Sequence, residues 1–266
     1  MESMEIALIN LATQEARWRS ASRQFLAVGL RPTRKEAVAG TALTSRERAA
    51  LYDPSLNARN YHKPLRPGEI GCYASHLRCW RELADSGERA MAIFEDDIEI
   101  AGDLPNVLDA LGRLRVPCDL VKLIGRSREK IRDSVPLCRG RSLIAYRRVP
   151  SLTGAYVITA EGARKLLRNR PPFGRPVDVD IRHWWEHGLR VLGAYPYPVR
   201  AGDSSQESTI EDRAIDACIA SRSKKLALQA RYTFENWLAT RSQPPLAPAG
   251  DRGATQPDWS TGRDAA

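Results

Sequence analysis

The sequence predicts an α/β protein, a mixed sheet flanked by helices, on three observations. Apolar runs of strand length recur at residues 5–11, 90–94, 119–125 and 153–159. Segments of helical composition alternate with them, the first following the first run at once. The 266 residues, 42% hydrophobic and 27% charged, suffice for one large domain or two small ones with a sizeable core.

In chain order, residues 5–11 read as a buried first strand. Its carboxyl end, near Asn10, is where open α/β sheets bind ligands. Residues 13–25 read as a helix on which Arg17 and Arg19 either reach a diphosphate at that strand end or lie on a solvated face. Gly29 caps that helix, and residues 37–40 read as a second strand end. Residues 41–67 hold Pro54, Pro64 and Pro67 and read as a connection with one short helix. Pro67 to Gly71 turn into a helix on which Cys72, His76, Cys79, Trp80 and Leu83 share a face. His76 is then either a satisfied core histidine or a site residue.

Ser86-Gly87 ends that helix, and the strand at 90–94 leads into Glu95-Asp96-Asp97. A further helix opens at Gly102-Asp103-Leu104-Pro105 and runs to about Leu114. Strands are expected at 119–125, 142–146 and 153–159, and a helix at 160–170, stopped by the prolines at 171–176. Residues 177–181 alternate apolar and acidic, and His183 and His187 stand at i and i+4 on one helix face. A short strand lies within 191–199. The capping-box pattern Ser208-Thr209-Ile210-Glu211 opens a long helix to about Leu238. Residues 1–240 form the folded domain, and residues 241–266, rich in Pro, Ala, Gly, Asp and Thr, read as a disordered tail.

The acidic triplet carries the chemistry. Alternation points Glu95 and Asp97 one way and Asp96 the other. Carboxylates at the end of a buried strand need a cation, an arginine or water, and hard oxygen ligands favour Mg²⁺ or Mn²⁺. The alternative is a solvated acidic strand end.

Net charge is +9, which favours an anionic partner: nucleic acid, a phosphorylated small molecule or an anionic membrane surface. Nine basic residues against two acidic ones fall between Lys122 and Arg148, either a solvated loop or a loop that folds over a diphosphate. No helix-turn-helix, zinc-finger or RNP-type signature is present, so no nucleic acid is expected. No apolar run approaches the ~20 residues of a membrane span. The first residues lack the basic region of a signal peptide, and the five cysteines form no C-x-x-C pair; a reduced, cytoplasmic protein is expected. His183-Trp184-Trp185-Glu186-His187 departs from the zincin motif, because its Glu precedes the second His. Its two histidines either complete a metal site or pack beside Trp184 and Trp185. Those tryptophans are in turn a wall for an acceptor sugar or core.

From residue 5 to about 212 the chain resembles glycosyltransferase family 25, the lipooligosaccharide glycosyltransferases related to the collagen galactosyltransferases. The most specific match is Gly68-Glu69-Ile70-Gly71-Cys72-Tyr73-Ala74-Ser75-His76-Leu77, followed by Ala92-Ile93-Phe94-Glu95-Asp96-Asp97. Asn10-Leu11 with Arg17, Thr153-Gly154-Ala155-Tyr156 with Gly162-Ala163, Pro176-Val177-Asp178 and Ser208-Thr209-Ile210 match further elements. Two departures lie in the nucleotide-binding half: Ala39 and Ala16 stand where the family commonly has acids.

The resemblance implies a GT-A-like fold of the nucleotide-diphospho-sugar transferase type. It implies a UDP-sugar donor, galactose or glucose, and inversion at the anomeric carbon. It places the divalent metal on Glu95 and Asp97, and donor binding on Asn10, Arg17, Glu69, His76 and Asp96, the last through ribose or from behind the metal. It makes Asp178 the first candidate for the general base and Asp180 the second. It further implies a lipopolysaccharide or other glycan acceptor, and a cytoplasmic protein that touches the inner face of the inner membrane. Two other classes stay open: a GT-A-like protein that binds without turnover, and a basic protein that binds nucleic acid or an anionic surface.

Overall fold

The structure, a computed structural model, describes residues 4–114, 116–168, 170–202 and 219–246. Two-sided burial organises its centre. Strand β1 (Glu5–Asn10) sends Ile6 and Leu8 to one face and Ala7 and Ile9 to the other, and all four are buried. Strand β3 (Ala90–Glu95) does the same with Ala92 and Phe94 against Met91 and Ile93. Strands buried on both faces read as continuous apolar runs, which is why these two are visible in the sequence.

The remaining strands are β2 (Thr33–Glu36), β4 (Ile98–Ile100), β5 (Leu120–Lys122), β6 (Ile131–Cys138), β7 (Arg141–Tyr146), β8 (Ala155–Thr159), β9 (Val191–Tyr195) and β10 (Val199–Ala201). Eight form one mixed sheet in the order β2-β1-β3-β8-β5-β9-β7-β6, and β4 pairs antiparallel with β10. β2 and β3 flank β1 in parallel, β8 runs antiparallel to both β3 and β5, and β9 is parallel to β5. The carboxyl ends of β1, β3 and β5 and the start of β8 therefore meet at one pole. Helices α1 (Glu15–Ala27) and α5 (Leu104–Gly112) cover one face through Phe25, Leu104, Val107 and Leu111. Helices α4 (Pro67–Ser86), α6 (Ala160–Arg168) and α7 (Val177–Arg182) cover the other through Tyr73, Leu77, Trp80, Leu166 and Ile181. Among the described residues no helix is long and apolar enough to cross a membrane.

Several local expectations differ from the structure. Residues 37–40 follow β2 as a loop rather than forming a strand end. The connection before Pro67 holds two short helices, α2 (Ser45–Leu51) and α3 (Pro54–Asn60). α4 begins at Pro67 itself, with proline in the first turn where its missing N–H is harmless. Most of the basic run 122–148 builds the β6–β7 hairpin at the sheet edge farthest from β2. β6 escaped notice because it is a half-exposed edge strand with Pro136 beside a register shift, a position that tolerates proline. The alternation at 177–181 lies on the helix α7, and Trp184–His187 forms a 3₁₀ turn, so His183 and His187 share no α-helical face.

The last described helix, α8 (Ile219–Ser242), ends four residues beyond the expected Leu238; the capping-box residues 208–211 lie outside the described residues. Part of the segment read as tail is docked. Arg132 donates to the carbonyls of Thr240, Gln243 and Pro244 at 3.1, 3.2 and 2.9 Å, and the Leu246 N–H donates to Asp133 at 2.6 Å. Residues 247–266 lie outside the described residues.

Candidate active site

The pole where β1, β3, β5 and β8 meet gathers the predicted site residues. β3 ends at Glu95, and the chain turns through Asp96 and Asp97 into β4. The turn is pinned by the Gly202 N–H, which donates to the Asp97 carbonyl at 2.7 Å. Pleating carries Glu95 to the α4 face and Asp96 to the α1 face.

Asp96 is neutralised locally. Asn10 Nδ2 donates to it at 2.6 Å, and Arg17 from α1 pairs with it at 2.5 Å. Asn10 is itself enclosed: its Oδ1 accepts from Arg34, and its Nδ2 also donates to the Gln14 carbonyl. Both amide ends are engaged, so in this geometry Asn10 holds Asp96 in place. The charge of Asp97 is less well met, with Arg17 at 3.7 Å. Burial, then the neighbouring Glu95 carboxylate, pushes the Asp97 carboxyl up to about 6 against the pull of Arg17.

Glu95 is held from behind by α4 and by the approach to β8. His76 Nε2 lies 3.2 Å from its Oε1, and Thr153 Oγ1 donates to the same oxygen at 3.0 Å. His76 is fully buried, with its Nδ1 2.8 Å from the Tyr156 hydroxyl. Trp80 Nε1, which can only donate, reaches that hydroxyl at 2.9 Å. Tyr156 thus accepts from Trp80 and donates to His76, which leaves the imidazole proton on Nε2 to donate to Glu95. Burial opposes ionisation of Glu95, but the bonds from His76 and Thr153 outweigh it and hold its carboxyl below the ordinary value. His76 is thus a satisfied core histidine, and one of its partners is the Glu95 carboxylate.

α7 brings Asp178 to the same pole. Burial pushes its carboxyl up to about 6, the Lys122 ammonium and the Val179 N–H pull it down, and Glu95 and Glu69 push it further up. Lys122, at the carboxyl end of β5, is 1% exposed and donates to the carbonyls of Pro150 and Leu152. Burial lowers its pKa to about 8 against the carboxylates of Asp178, Glu129 and Glu95. Glu69 caps the first turn of α4, its Oε2 accepting the Arg66 N–H at 2.7 Å. Desolvation first, then the charges of Glu95, Asp178, Asp97 and Glu69, push the half-buried Cys72 thiol well above its ordinary value and keep it protonated. Six ionisable groups from α4, β3, the turn after β3, β5 and α7 thus share one electrostatic neighbourhood.

Asp180 stands apart. Successive helical residues turn by about 100°, so Asp178 and Asp180 diverge by about 200° on α7. Asp180 is 1% exposed and accepts from Tyr73 at 2.6 Å, from Arg170 at 2.9 and 3.0 Å and from Arg175 at 3.0 and 2.7 Å. Despite burial, His187 and these arginines hold its carboxyl far below the ordinary value. A carboxylate so engaged is a weak proton acceptor; its geometry is that of the pin fixing α7 to α4.

Two groups of three among the described residues come within metal-ligand reach: Cys72, His76 and Glu95, and Asp180, Glu186 and His187. The second already contains two arginines as its cations. In the first, the thiol is protonated and both histidine nitrogens have partners, so hard oxygen ligands fit a divalent ion better. Among the described residues Oε2 of Glu95 accepts no hydrogen bond, and Asp97 carries a charge its surroundings resist; carboxylate oxygens of this kind are the ligands that suit Mg²⁺ or Mn²⁺.

His183 bonds the Val179 carbonyl at 2.8 Å, and burial, then the Arg175 charge, lowers its pKa to about 4. Trp184 is buried, and Trp185 packs between His183 and Tyr232. The sequence did not single out Lys122, Thr153 or Tyr156 as site residues. Lys122 was counted in the basic run, and the other two were visible only within a strand motif.

Residues 4–181 match the family model described as glycosyltransferase family 25 (LPS biosynthesis protein). Procollagen galactosyltransferase 1 of Danio rerio is 29% identical over 239 residues, covering 79% of this chain and 39% of that protein. Procollagen galactosyltransferase 2 of Homo sapiens is 28% identical over 183 residues, 66% of this chain and 29% of that protein. A similar match, 28% over 172 residues, is the probable inactive glycosyltransferase 25 family member 3 of Bos taurus, with 56% of this chain and 28% of that protein covered. The chain spans well under half the length of these relatives.

Proposed function

The chain belongs to glycosyltransferase family 25, and from that premise we propose that it moves a hexose, galactose first, from a UDP-sugar to a glycan acceptor, with inversion and with a divalent metal. The observation that carries this reading is the pair of carboxylates Glu95 and Asp97 at the end of β3, Asp97 with its charge poorly met, and Asp178 on α7 within electrostatic reach of Glu95. A divalent cation held by Glu95 and Asp97 would act as a Lewis acid toward the charge that grows on the departing β-phosphate. Arg17 fixes Asp96 and reaches Asp97, so it orients the turn that receives the donor. Asp178, pushed up to about 6, is tuned to accept the acceptor hydroxyl proton near neutral pH. The buried Lys122 ammonium draws the Asp178 carboxyl down against burial, which favours its ionised form beside Glu95.

An inverting transfer from an α-linked UDP-galactose makes a β-galactoside. The acceptor we favour is a lipopolysaccharide or lipooligosaccharide sugar, and the location the cytoplasmic side of an anionic membrane. On α8 the exposed Leu226, Phe234, Trp237 and Leu238 form an apolar stripe beside Arg222, Arg231 and Arg241, a composition suited to peripheral contact. A second reading, binding without turnover, draws on Ala39, which is exposed where the family commonly has an acid.

One assay separates the two. The protein is incubated with UDP-galactose or UDP-glucose and a glycan acceptor, with Mn²⁺, Mg²⁺ or a chelator, and UDP release is followed. Metal-dependent release supports transfer. UDP binding without release from either donor favours the second reading.

A further inference from the structure

A cleft of about 800 Å³ lies between the β6–β7 hairpin and α8, within the size range of small-ligand sites. Its lining includes five cationic side chains, Lys130, Arg132, Arg147, Arg148 and Arg241, and one acid, Asp133. Three of these are already engaged. Arg147 Nε donates to the Ile131 carbonyl at 3.2 Å. Arg132 donates to three carbonyls at the end of α8 and just beyond, and Asp133 accepts the N–H groups of Ser134 and Leu246. Among the described residues Lys130, Arg147, Arg148 and Arg241 meet no carboxylate.

Arg148 lies over the Tyr232 ring at 4.9 Å and Arg241 over the Trp237 ring at 3.8 Å, so both are held at the cleft by aromatic faces. Unpaired cations gathered around a concave wall repel one another and concentrate anions. Guanidinium groups match the oxygens of a phosphate. Trp237, 48% exposed, adds an apolar face of the kind that sugar C–H surfaces cover.

The cleft is joined to the candidate active site through Tyr232. Arg182 lies over the same ring at 4.1 Å, and His183 packs edge-on to it at 5.0 Å. Arg182 stands one helical turn, about 6 Å along the axis, after Asp178 on α7. Its Nε is buried without a hydrogen-bond partner among the described residues.

We propose that this cleft binds the phosphate of a phosphorylated saccharide. In the transferase reading, on which this part of the inference rests, that saccharide is the acceptor, anchored by its phosphate while a hydroxyl reaches Asp178.

The test is direct binding, without donor or metal. Calorimetry on the full chain compares glucose 6-phosphate, glucose and inorganic phosphate. Glucose 6-phosphate should bind at least tenfold tighter than either. The double variant R148Q/R241Q should lose at least tenfold of that affinity, while R46Q/R139Q, with the same change in net charge at exposed sites elsewhere, should stay within twofold of the parent. Equal affinity in the two double variants, or inorganic phosphate binding as well as glucose 6-phosphate, overturns the proposal. So does loss of phosphatidylglycerol-vesicle binding in R148Q/R241Q when the parent binds no glucose 6-phosphate; the phosphate would then be a lipid headgroup. Transfer from a UDP-sugar with no glucose 6-phosphate bound defeats this inference and leaves the transferase reading standing. Selective binding with no transfer supports the cleft and counts against that reading alone.

Discussion

At the scale of single residues, two carboxyls with the same raised pKa have separable roles. Asp97 and Asp178 are both pushed up to about 6, chiefly by burial. In the proposed reading a bound cation would keep Asp97 ionised; the acid limb in metal affinity would then belong to Asp97, and the limb in turnover at saturating metal to Asp178. Turnover should therefore fall about tenfold per pH unit below 6. Asp178→Asn should lower it about 10²–10⁴-fold, abolish that limb and leave UDP affinity unchanged; equal losses of turnover and UDP affinity would instead make Asp178 a donor contact. Asp97 also makes a stability prediction with a definite sign. An acid whose folded pKa lies above its unfolded value binds more protons when folded, so stability falls as pH rises between the two values. In the metal-free protein Asp97→Asn should thus melt at or above the parent temperature at pH 7.5. That advantage should shrink as pH falls below 6, as differential scanning calorimetry across pH would record. A lower melting temperature for Asp97→Asn at pH 7.5 would mean that Asp97 is satisfied by partners of its own.

At the scale of elements, α4 is the scaffold of the site, and its seat depends on close backbone approach. A Cβ at Gly71 would overlap the Val38 carbonyl and the Gly40 backbone, whereas a Cβ at Gly68 would meet nothing. Gly71→Ala should cost about 1–3 kcal/mol and Gly68→Ala should be neutral or stabilising by up to about 1 kcal/mol, measured by urea denaturation. Tyr156→Phe would leave Trp80 Nε1 and His76 Nδ1 without their partner and should cost about 1–3 kcal/mol. If Tyr156→Phe also lowers turnover, the chain from Trp80 to Glu95 positions the carboxylate. The elements legible in the sequence were those with a strong period: β1, β3 and β8 as apolar runs, and α4 by its buried face. The illegible ones lacked it. β2 is Thr-Arg-Lys-Glu on an edge, with no apolar residue to mark it. β6 is half-exposed, mixes apolar and polar residues without a clean period, and is interrupted by proline. α7 is six residues long, too short for a helical period to outweigh its apolar–acidic alternation.

At the scale of the whole molecule, composition told the net charge but not its placement. Basic residues crowd the β6–β7 edge and α8, while Glu95, Asp97 and Asp178 gather at the carboxyl pole of the central strands. The acidic triplet was legible because three acids closing an apolar run are conspicuous. Lys122 and Thr153 were not, because only the sheet order brings β5 and the start of β8 beside β3. In the proposed reading, a donor site at the strand ends and a basic cleft that meets α7 through Tyr232 would give each substrate its own charge environment. The most direct test is a calorimetric titration of UDP into the protein with Mn²⁺ and with a chelator, for the parent and for Asp97→Ala. The account predicts that the chelator weakens parent binding at least tenfold, and that Asp97→Ala, folded as judged by circular dichroism, binds equally weakly in both conditions. UDP affinity indifferent to the metal in the parent, or metal dependence retained in Asp97→Ala, would contradict it.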